Sequence, residues 1–167
     1  MQLLWAIGLL LMATLDGAES IPNGRGFMDE YFDRTLVADF PILYAQRHLT
    51  EYRSAFSYGF ECNSGWEELI RKLSQHLEFL NEKGVVWVEA AQVKEKFSTL
   101  RYYIDILEGE KPWRDIVYDL ITAAESRSAY TCEWCGEWGE RRNDTGWLRT
   151  LCEPCHEQLL EQKRAKA

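Results

Sequence analysis

Two short stretches decide how the C-terminal part of this chain folds: TCEWCG at residues 131–136 and LCEPCH at residues 151–156. Each contains a C-x2-C pair, and sixteen residues separate the two pairs. This spacing is typical of a tetrahedral zinc site, in which each pair forms a tight turn, or knuckle, that directs two thiolates to one point. The sequence therefore predicts one zinc ion bound by Cys132, Cys135, Cys152 and Cys155.

The predicted metal is structural. Four thiolates complete the tetrahedral shell of zinc and leave no open position for water or substrate. A small ribbon with little core of its own gains much of its folding free energy from such a metal. Alternatives are His156 in place of Cys155 as the fourth ligand, a metal-free reduced set, two disulfides in a secreted protein, or a redox role for one pair.

The knuckles CEWCG and LCEPCHEQ are similar to those that flank the core of an HNH endonuclease. Such a nuclease needs a histidine base between its knuckles, and residues 136–151 contain no histidine. A hydrolytic metal site also needs an open coordination position. The similarity therefore ends at the knuckles and argues against HNH activity.

The rest of the sequence predicts an α+β fold: helices with a short antiparallel β-sheet and a C-terminal zinc ribbon. An apolar stripe with helical period runs from Trp66 to Leu80 and ends before Gly84, and Ser64 with Glu67 forms a capping-box pattern at its start. The remaining predicted elements are a short helix at residues 28–39, strands at 85–88 and 97–107, a helix at 112–127, a ribbon hairpin that turns at 143–146, and a helix from Glu157.

The chain of 167 residues divides into three predicted parts. Residues 1–27 form an apolar leader, interpreted as either a misassigned start with Met28 as the working start or a weak signal peptide. Its apolar run is too short to span a bilayer, so we expect no stable membrane insertion. Residues 28–128 form the α+β domain, and residues 129–167 form the zinc ribbon with a C-terminal helix.

Candidate partner-binding residues lie in two segments. Lys94 and Lys96 lie in a strand region that is rich in aromatic residues, and the ribbon supplies the others: Arg141, Arg142, Arg149, Trp138 and Trp147. The alternative is an ordinary strand with solvated charges and a ribbon whose tryptophans pack internally. The formal net charge of −8 disfavours nucleic-acid binding as the main role, although a local basic patch remains compatible with it.

Four spaced motifs, GFECNSGW, VKEKFSTLRYY, AESRSAYTCEWCG and GWLRTLC, resemble a family of small uncharacterised phage and prophage proteins. The resemblance covers roughly residues 60–155 and brings no established activity. It implies an accessory role in a bacterial cytoplasm, in agreement with cysteines that serve as thiolates. If the apolar leader is a signal peptide, the protein is instead exported.

Three functions remain open. The first is a non-enzymatic accessory protein that acts through a protein partner. The second is a nucleic-acid-binding accessory protein that uses the ribbon arginines with Lys94 and Lys96. The third is a degenerate enzyme, although no Ser–His–Asp order, Walker loop or H-E-x-x-H motif is present.

Overall fold

The computed structural model describes residues 26–166, so all but the last two residues of the predicted leader, residues 1–27, lie outside the described part. The helices and strands are α1 (Glu30–Asp39), β1 (Phe60–Glu61), α2 (Glu67–Glu82), β2 (Val86–Lys96), β3 (Thr99–Gly109), α3 (Lys111–Ser128), β4 (Glu140–Arg142), β5 (Arg149–Leu151) and α4 (Glu153–Lys166). The predicted α+β fold with a C-terminal ribbon is confirmed.

The larger sheet has the strand order β1-β2-β3. β1 pairs with β2 in parallel, and β2 pairs with β3 in the predicted antiparallel sense, from Val86 opposite Gly109 to Lys96 opposite Thr99. Apolar side chains alternate along β2, and Val86, Val88, Ala90 and Val93 are buried. One face of the sheet therefore covers the core, as the period of two along a strand requires.

Helix α2 carries the predicted apolar stripe. Trp66, just before its first residue, and Ile70, Leu73 and Leu77 within it are buried in the main core. Helix α3 adds Val117, Ile121 and Ala124 to the same core. Gly84 has a positive φ of 65° directly after α2, the left-handed conformation in which helices commonly end.

The β2–β3 hairpin closes through a two-residue turn at Phe97 and Ser98. Both residues have positive φ, at 55° and 69°. Two-residue hairpin turns of this kind match the twist of the strands, but they normally use Asn or Gly because a side chain strains the left-handed conformation. Contacts from elsewhere in the fold must therefore hold this turn.

The ribbon has its own small core. β4 and β5 pair in antiparallel register on either side of the predicted turn, which confirms the ribbon hairpin. Cys132, Leu151 and Leu159 form a second buried cluster, with Trp134, Cys152 and Cys155 against it.

Two predicted boundaries and one predicted helix cap are wrong. β2 continues to Lys96 instead of ending at Val88, because its polar residues pair with β3. α4 begins at Glu153 instead of Glu157, so the second knuckle continues directly into the helix. The capping box also fails, because Ser64 Oγ accepts the N–H of Asp29 and α2 has no side-chain cap.

No helix within residues 26–166 has the length and apolar character needed to cross a membrane.

Glu78 links α2 to the loop that follows α1. Its side chain is buried, and its carboxylate accepts the N–H groups of Ile42 at 3.0 Å and Leu43 at 2.8 Å. We expect Glu78→Ala to lower the free energy of unfolding by about 3 kcal/mol, because two N–H groups lose a charged acceptor away from water. Urea unfolding followed by circular dichroism measures this loss.

The matched control is Glu82→Ala, at the exposed C-terminal end of the same helix. It should change the free energy of unfolding by less than about 0.5 kcal/mol. Equal effects of the two substitutions would contradict the role given to Glu78.

Candidate metal centre and adjoining cleft

The four predicted ligands converge in space. The sulfur atoms of Cys132, Cys135, Cys152 and Cys155 all lie within 4.8 Å of one another. The Sγ atoms of Cys135 and Cys152 are 3.5 Å apart. Tetrahedral zinc with Zn–S bonds of about 2.3 Å places its sulfur atoms about 3.8 Å apart. The donor set and its spacing therefore fit a metal ion such as zinc.

Local backbone structure shapes each knuckle. In the first, the N–H of Gly136 donates to the carbonyl of Cys132 at 2.9 Å, and the N–H of Cys132 donates to the carbonyl of Glu137 at 2.7 Å. Gly136 has a φ of 82°, which favours glycine at this turn. In the second, the N–H of His156 donates to the carbonyl of Cys152 at 3.0 Å. Cys155 thus lies in the first turn of α4.

The thiol pKa values of Cys135, Cys152 and Cys155 shift in different directions. Burial and the neighbouring cysteines raise the pKa of Cys135 to about 11 and raise the pKa of Cys155 further. Burial opposes ionisation of Cys152 too, but hydrogen bonds from the Cys155 backbone and from neighbouring thiols outweigh it and lower the pKa of Cys152. Without a cation, the cluster therefore accommodates a single negative charge more readily than several.

The side chain of His156 contacts the ribbon turn and not the candidate metal site. Its ring is buried, and Nε2 lies 3.0 Å from Oδ1 of Asp144 in the ribbon turn. The four-sulfur group includes Cys155 and not His156. The histidine thus joins α4 to the ribbon turn.

The first knuckle is docked on the loop before α2. The N–H of Gly65 donates to the carbonyl of Glu133 at 2.9 Å, and Trp66 Nε1 donates to the carbonyl of Thr131 at 2.8 Å. A Cβ on Gly65 would lie 2.4 Å from the carbonyl oxygen of Cys132. The absence of a side chain at residue 65 is therefore a condition of this contact.

The ribbon also contacts the strained hairpin turn. Thr150 Oγ1 donates to the carbonyl of Ser98 at 2.7 Å, and the N–H of Ser98 donates to Glu95 Oε1 at 2.6 Å. Trp147 Nε1 donates to Glu95 Oε2 at 3.4 Å. These bonds hold Phe97 and Ser98 in their left-handed conformation.

A cavity of about 660 Å³ lies between the hairpin and the ribbon, and we call it the cleft. Its walls are hairpin residues 94–97 and ribbon residues 146–149, together with Gly26, Phe27, Glu61, Asn63 and Glu133. Its volume is within the range of small-molecule sites, about 300–1,000 Å³.

Glu133 and Asn63 form the buried end of the cleft; their side chains are 3% and 2% exposed. Glu133 Oε1 accepts both the backbone N–H of Asn63 at 3.3 Å and its Nδ2 at 2.7 Å. Asn63 Oδ1 is buried and has no hydrogen-bond partner among the described residues. Burial, and then the charge of Glu95, raise the pKa of Glu133 to about 7.

The predicted partner-binding residues fall into two groups. Lys94, Lys96, Trp147 and Arg149 all line the cleft. The other three lie away from its walls. Arg142 pairs with Glu153 at 2.7 Å, Arg141 is exposed on β4, and Trp138 stacks on Tyr130 with ring centroids 5.2 Å apart.

Sequence reasoning missed Asn63, Glu133 and Phe27. Glu133 lies inside the first C-x2-C pair and Asn63 inside the FECNSG turn, so both were near recognised motifs. A carboxylate between two candidate metal ligands was the available signal, but its burial depends on a contact with a residue 70 positions away.

Gly65→Ala should weaken the contact between the first knuckle and the loop before α2. The added methyl group would meet backbone atoms of Cys132 and Glu133, which cannot rotate away. We expect the free energy of unfolding to fall by about 2 kcal/mol, as in other overpacked sites. Amide hydrogen exchange should rise at residues 131–136. Gly84→Ala is the control, because its methyl group would meet nothing within 4 Å and only its positive φ opposes it. Unchanged amide hydrogen exchange at residues 131–136 in Gly65→Ala would contradict the role given to this contact.

Comparison of the chain with protein-family models, with curated proteins and with solved structures gave no match.

Proposed function

We propose that this is a zinc-binding accessory protein of the phage or prophage type that acts by binding and not by catalysis. Its zinc is structural and holds the ribbon against the α+β part of the chain. The observation that carries this proposal is the convergence of four cysteine sulfur atoms within 4.8 Å, in a segment already bonded to Gly65 and Ser98.

The donor set supports zinc over other metals. Thiolates are soft ligands, and a tetrahedral set of four selects zinc or an iron–sulfur centre over magnesium or calcium. All five cysteines are free, and the 3.5 Å between Cys135 and Cys152 is far beyond a disulfide bond of about 2.05 Å. Free thiols support a reducing compartment, for which we propose the cytoplasm of a bacterial host.

The cleft is the proposed binding surface. Lys94, Lys96 and Arg149 bring positive charge to it, beside the carboxyl groups of Glu61, Glu95 and Glu133. Phe97 and Trp147 bring aromatic rings that are 64% and 49% exposed. Cations beside exposed rings are the combination that binds phosphates and stacks bases. The cleft therefore favours a nucleotide or a single-stranded nucleic acid as its ligand.

A protein partner is the second candidate, and a different feature favours it. Trp138 is 61% exposed and Tyr130 53%, and the two stacked rings form an aromatic pair on the ribbon. Large rings left in solvent are typical anchors of protein interfaces. This pair is outside the cleft walls, so substitutions can separate the two candidates.

Purified protein should contain about one zinc ion per chain, as a single four-thiolate site requires. Cys132→Ser and Cys152→Ser should lose this zinc and become sensitive to protease between residues 129 and 166. Mass spectrometry for metal and limited proteolysis measure the two effects. The control is Cys62→Ala, which removes a buried thiol outside the cluster and should retain full zinc content. A folded, protease-resistant protein without metal would overturn the structural role.

Binding of single-stranded RNA should depend on salt. If Lys94, Lys96 and Arg149 each contact a phosphate, raising the salt concentration fourfold should weaken binding by about twentyfold. Fluorescence anisotropy across a salt series measures the slope. Arg149→Ala should flatten the slope, whereas Arg141→Ala, an exposed arginine of the same ribbon, should not. A salt-independent interaction abolished by Trp138→Ala would favour the protein partner instead.

A further inference from the structure

We propose that the outer edge of β3 binds an extended segment of a partner protein. The segment adds to the sheet as an antiparallel strand and carries a lysine or arginine opposite Asp105. This inference goes beyond the proposed function, because it concerns the sheet of the α+β part and neither the cleft nor the aromatic pair on the ribbon.

The first half of the outer edge of β3 is already covered. The strand order β1-β2-β3 leaves one side of β3 without a neighbouring strand. At the start of β3, side chains of α3 take the place of that neighbour. Ser128 Oγ accepts the N–H of Leu100 at 2.8 Å, and Glu125 Oε1 accepts the N–H of Tyr102 at 2.9 Å. The fold thus satisfies this half of the edge by itself.

The second half of the edge is open. Alternate residues of a strand direct their N–H and C=O groups to the same side, so Ile104 and Ile106 continue the series of residues 100 and 102. The bulge between Ala90 and Gln92 inserts its extra residue in β2 and does not interrupt this series. Within residues 26–166, the outward groups of Ile104 and Ile106 have no hydrogen-bond partner. Such a row of groups is a template for another strand.

The solvent face beside the open edge carries two carboxylates that only neutral groups contact. Asp105 and Glu89 lie directly opposite each other in the register of β3 and β2. Gln46 Nε2 donates to Asp105 at 2.8 Å and to Glu89 at 3.3 Å, and Trp87 Nε1 donates to Glu89 at 3.3 Å. Neither carboxylate forms an ion pair in the described part of the chain. Like charges directly opposite each other destabilise a sheet, so a cation at this level would be stabilising.

Exposed apolar side chains lie before and after Asp105 along β3. Tyr103 is 42% exposed and Leu107 is 58% exposed. In an added strand, the residue opposite Asp105 shares this face with the residues two positions before and after it. The segment that fits therefore has a basic residue at its centre and an apolar residue two positions away on each side.

Helix α3 borders the open edge on the other face of the sheet. Tyr118 lies seven residues before Glu125 and Arg114 lies eleven before it, so the helical period places both on the side of α3 that contacts β3. The Tyr118 ring is 51% exposed and offers apolar surface to an added strand. Arg114 would repel a lysine on this face. The basic residue of the partner therefore belongs on the solvent face, opposite Asp105.

A second copy of this chain does not fit the same edge. Two β3 strands that pair through both Ile104 and Ile106 would place each Asp105 opposite the other, beside both Glu89 side chains. Four carboxylates would then share one face, which opposes the pairing. A lysine or arginine opposite Asp105 reverses the sign of this interaction. Charge complementarity therefore selects a basic segment of another protein.

The test is fluorescence anisotropy of labelled seven-residue peptides with the zinc-loaded full chain. One peptide is Thr-Val-Thr-Lys-Thr-Val-Thr, and the other has glutamate in place of the lysine. Both have blocked ends, so they differ in charge only at the central residue. We expect the lysine peptide to bind at least about fivefold more tightly, as one favourable cross-strand charge pair requires. Equal affinity for the two peptides, or no binding of either, would overturn the proposal.

N-methylated peptides test whether the partner binds as a strand. Opposite Asp105, the lysine of an antiparallel strand directs its own N–H away from β3, and the residues on either side direct theirs toward the edge. Methylation of the two flanking N–H groups should abolish binding, whereas methylation of the lysine N–H should leave it unchanged. Equal effects of the two methylations would contradict strand addition.

Asp105→Lys should remove the preference for the lysine peptide. It should still fold, because the new side chain lies opposite Glu89. The matched control is Asp119→Lys, the same change of charge at an exposed residue of α3, and it should keep the preference. A stable dimer in analytical ultracentrifugation that the lysine peptide dissociates would assign the edge to a second copy and overturn the proposal.

Discussion

The contact between the first cysteine knuckle and Gly65 is the constraint on which the site depends. The backbone of Glu133 is fixed from two sides: Gly65 donates to its carbonyl, and its own N–H donates to the carbonyl of Thr150 at 2.9 Å. Its side chain then accepts two hydrogen bonds from Asn63. One four-residue segment therefore does two things. Its terminal cysteines belong to the candidate metal site, and its second residue closes the buried end of the cleft. The candidate metal site and the cleft therefore share adjacent residues of one segment.

The same ribbon stabilises a turn that the hairpin could not easily hold alone. Phe97 and Ser98 each carry a left-handed strain of about 1–2 kcal/mol. A hydrogen bond contributes about 1 kcal/mol net, so the bond that Thr150 of the ribbon donates to Ser98, together with the hairpin's own bond from Ser98 to Glu95, offsets much of that strain. In return, the hairpin places Phe97 and Lys96 at the cleft. A glycine in this turn would remove the strain, but it would also remove a ring from the cleft wall.

Sequence reasoning succeeded where the signal is local. Cysteine spacing identified the four cysteines that converge, because a C-x2-C pair forms its own turn, and the period of 3.6 residues identified α2. It failed where a residue far along the chain determines which contact a side chain makes. Ser64 follows the local rule for a cap, yet its hydroxyl serves Asp29, 35 residues away. Lys96 and Trp147 were each recognised as candidates, but about fifty residues separate them, and only the docked ribbon brings both to one cavity. Asn63 was missed because a buried asparagine looks like any turn residue until its partner is known.

The net charge of −8 and the proposed binding of a nucleotide in the cleft act over different distances. Exposed charges are screened over about 10 Å at 0.1 M salt, so acidic residues outside the cleft would barely oppose a phosphate beside Lys94 and Lys96. Glu61 and Glu95, which line the cleft, would oppose it directly. The main effect of the acidic residues outside the cleft is on long strands, which extend beyond the cleft and meet that acidic surface. Non-specific binding of nucleic acid would thereby be weakened more than the proposed contacts within the cleft.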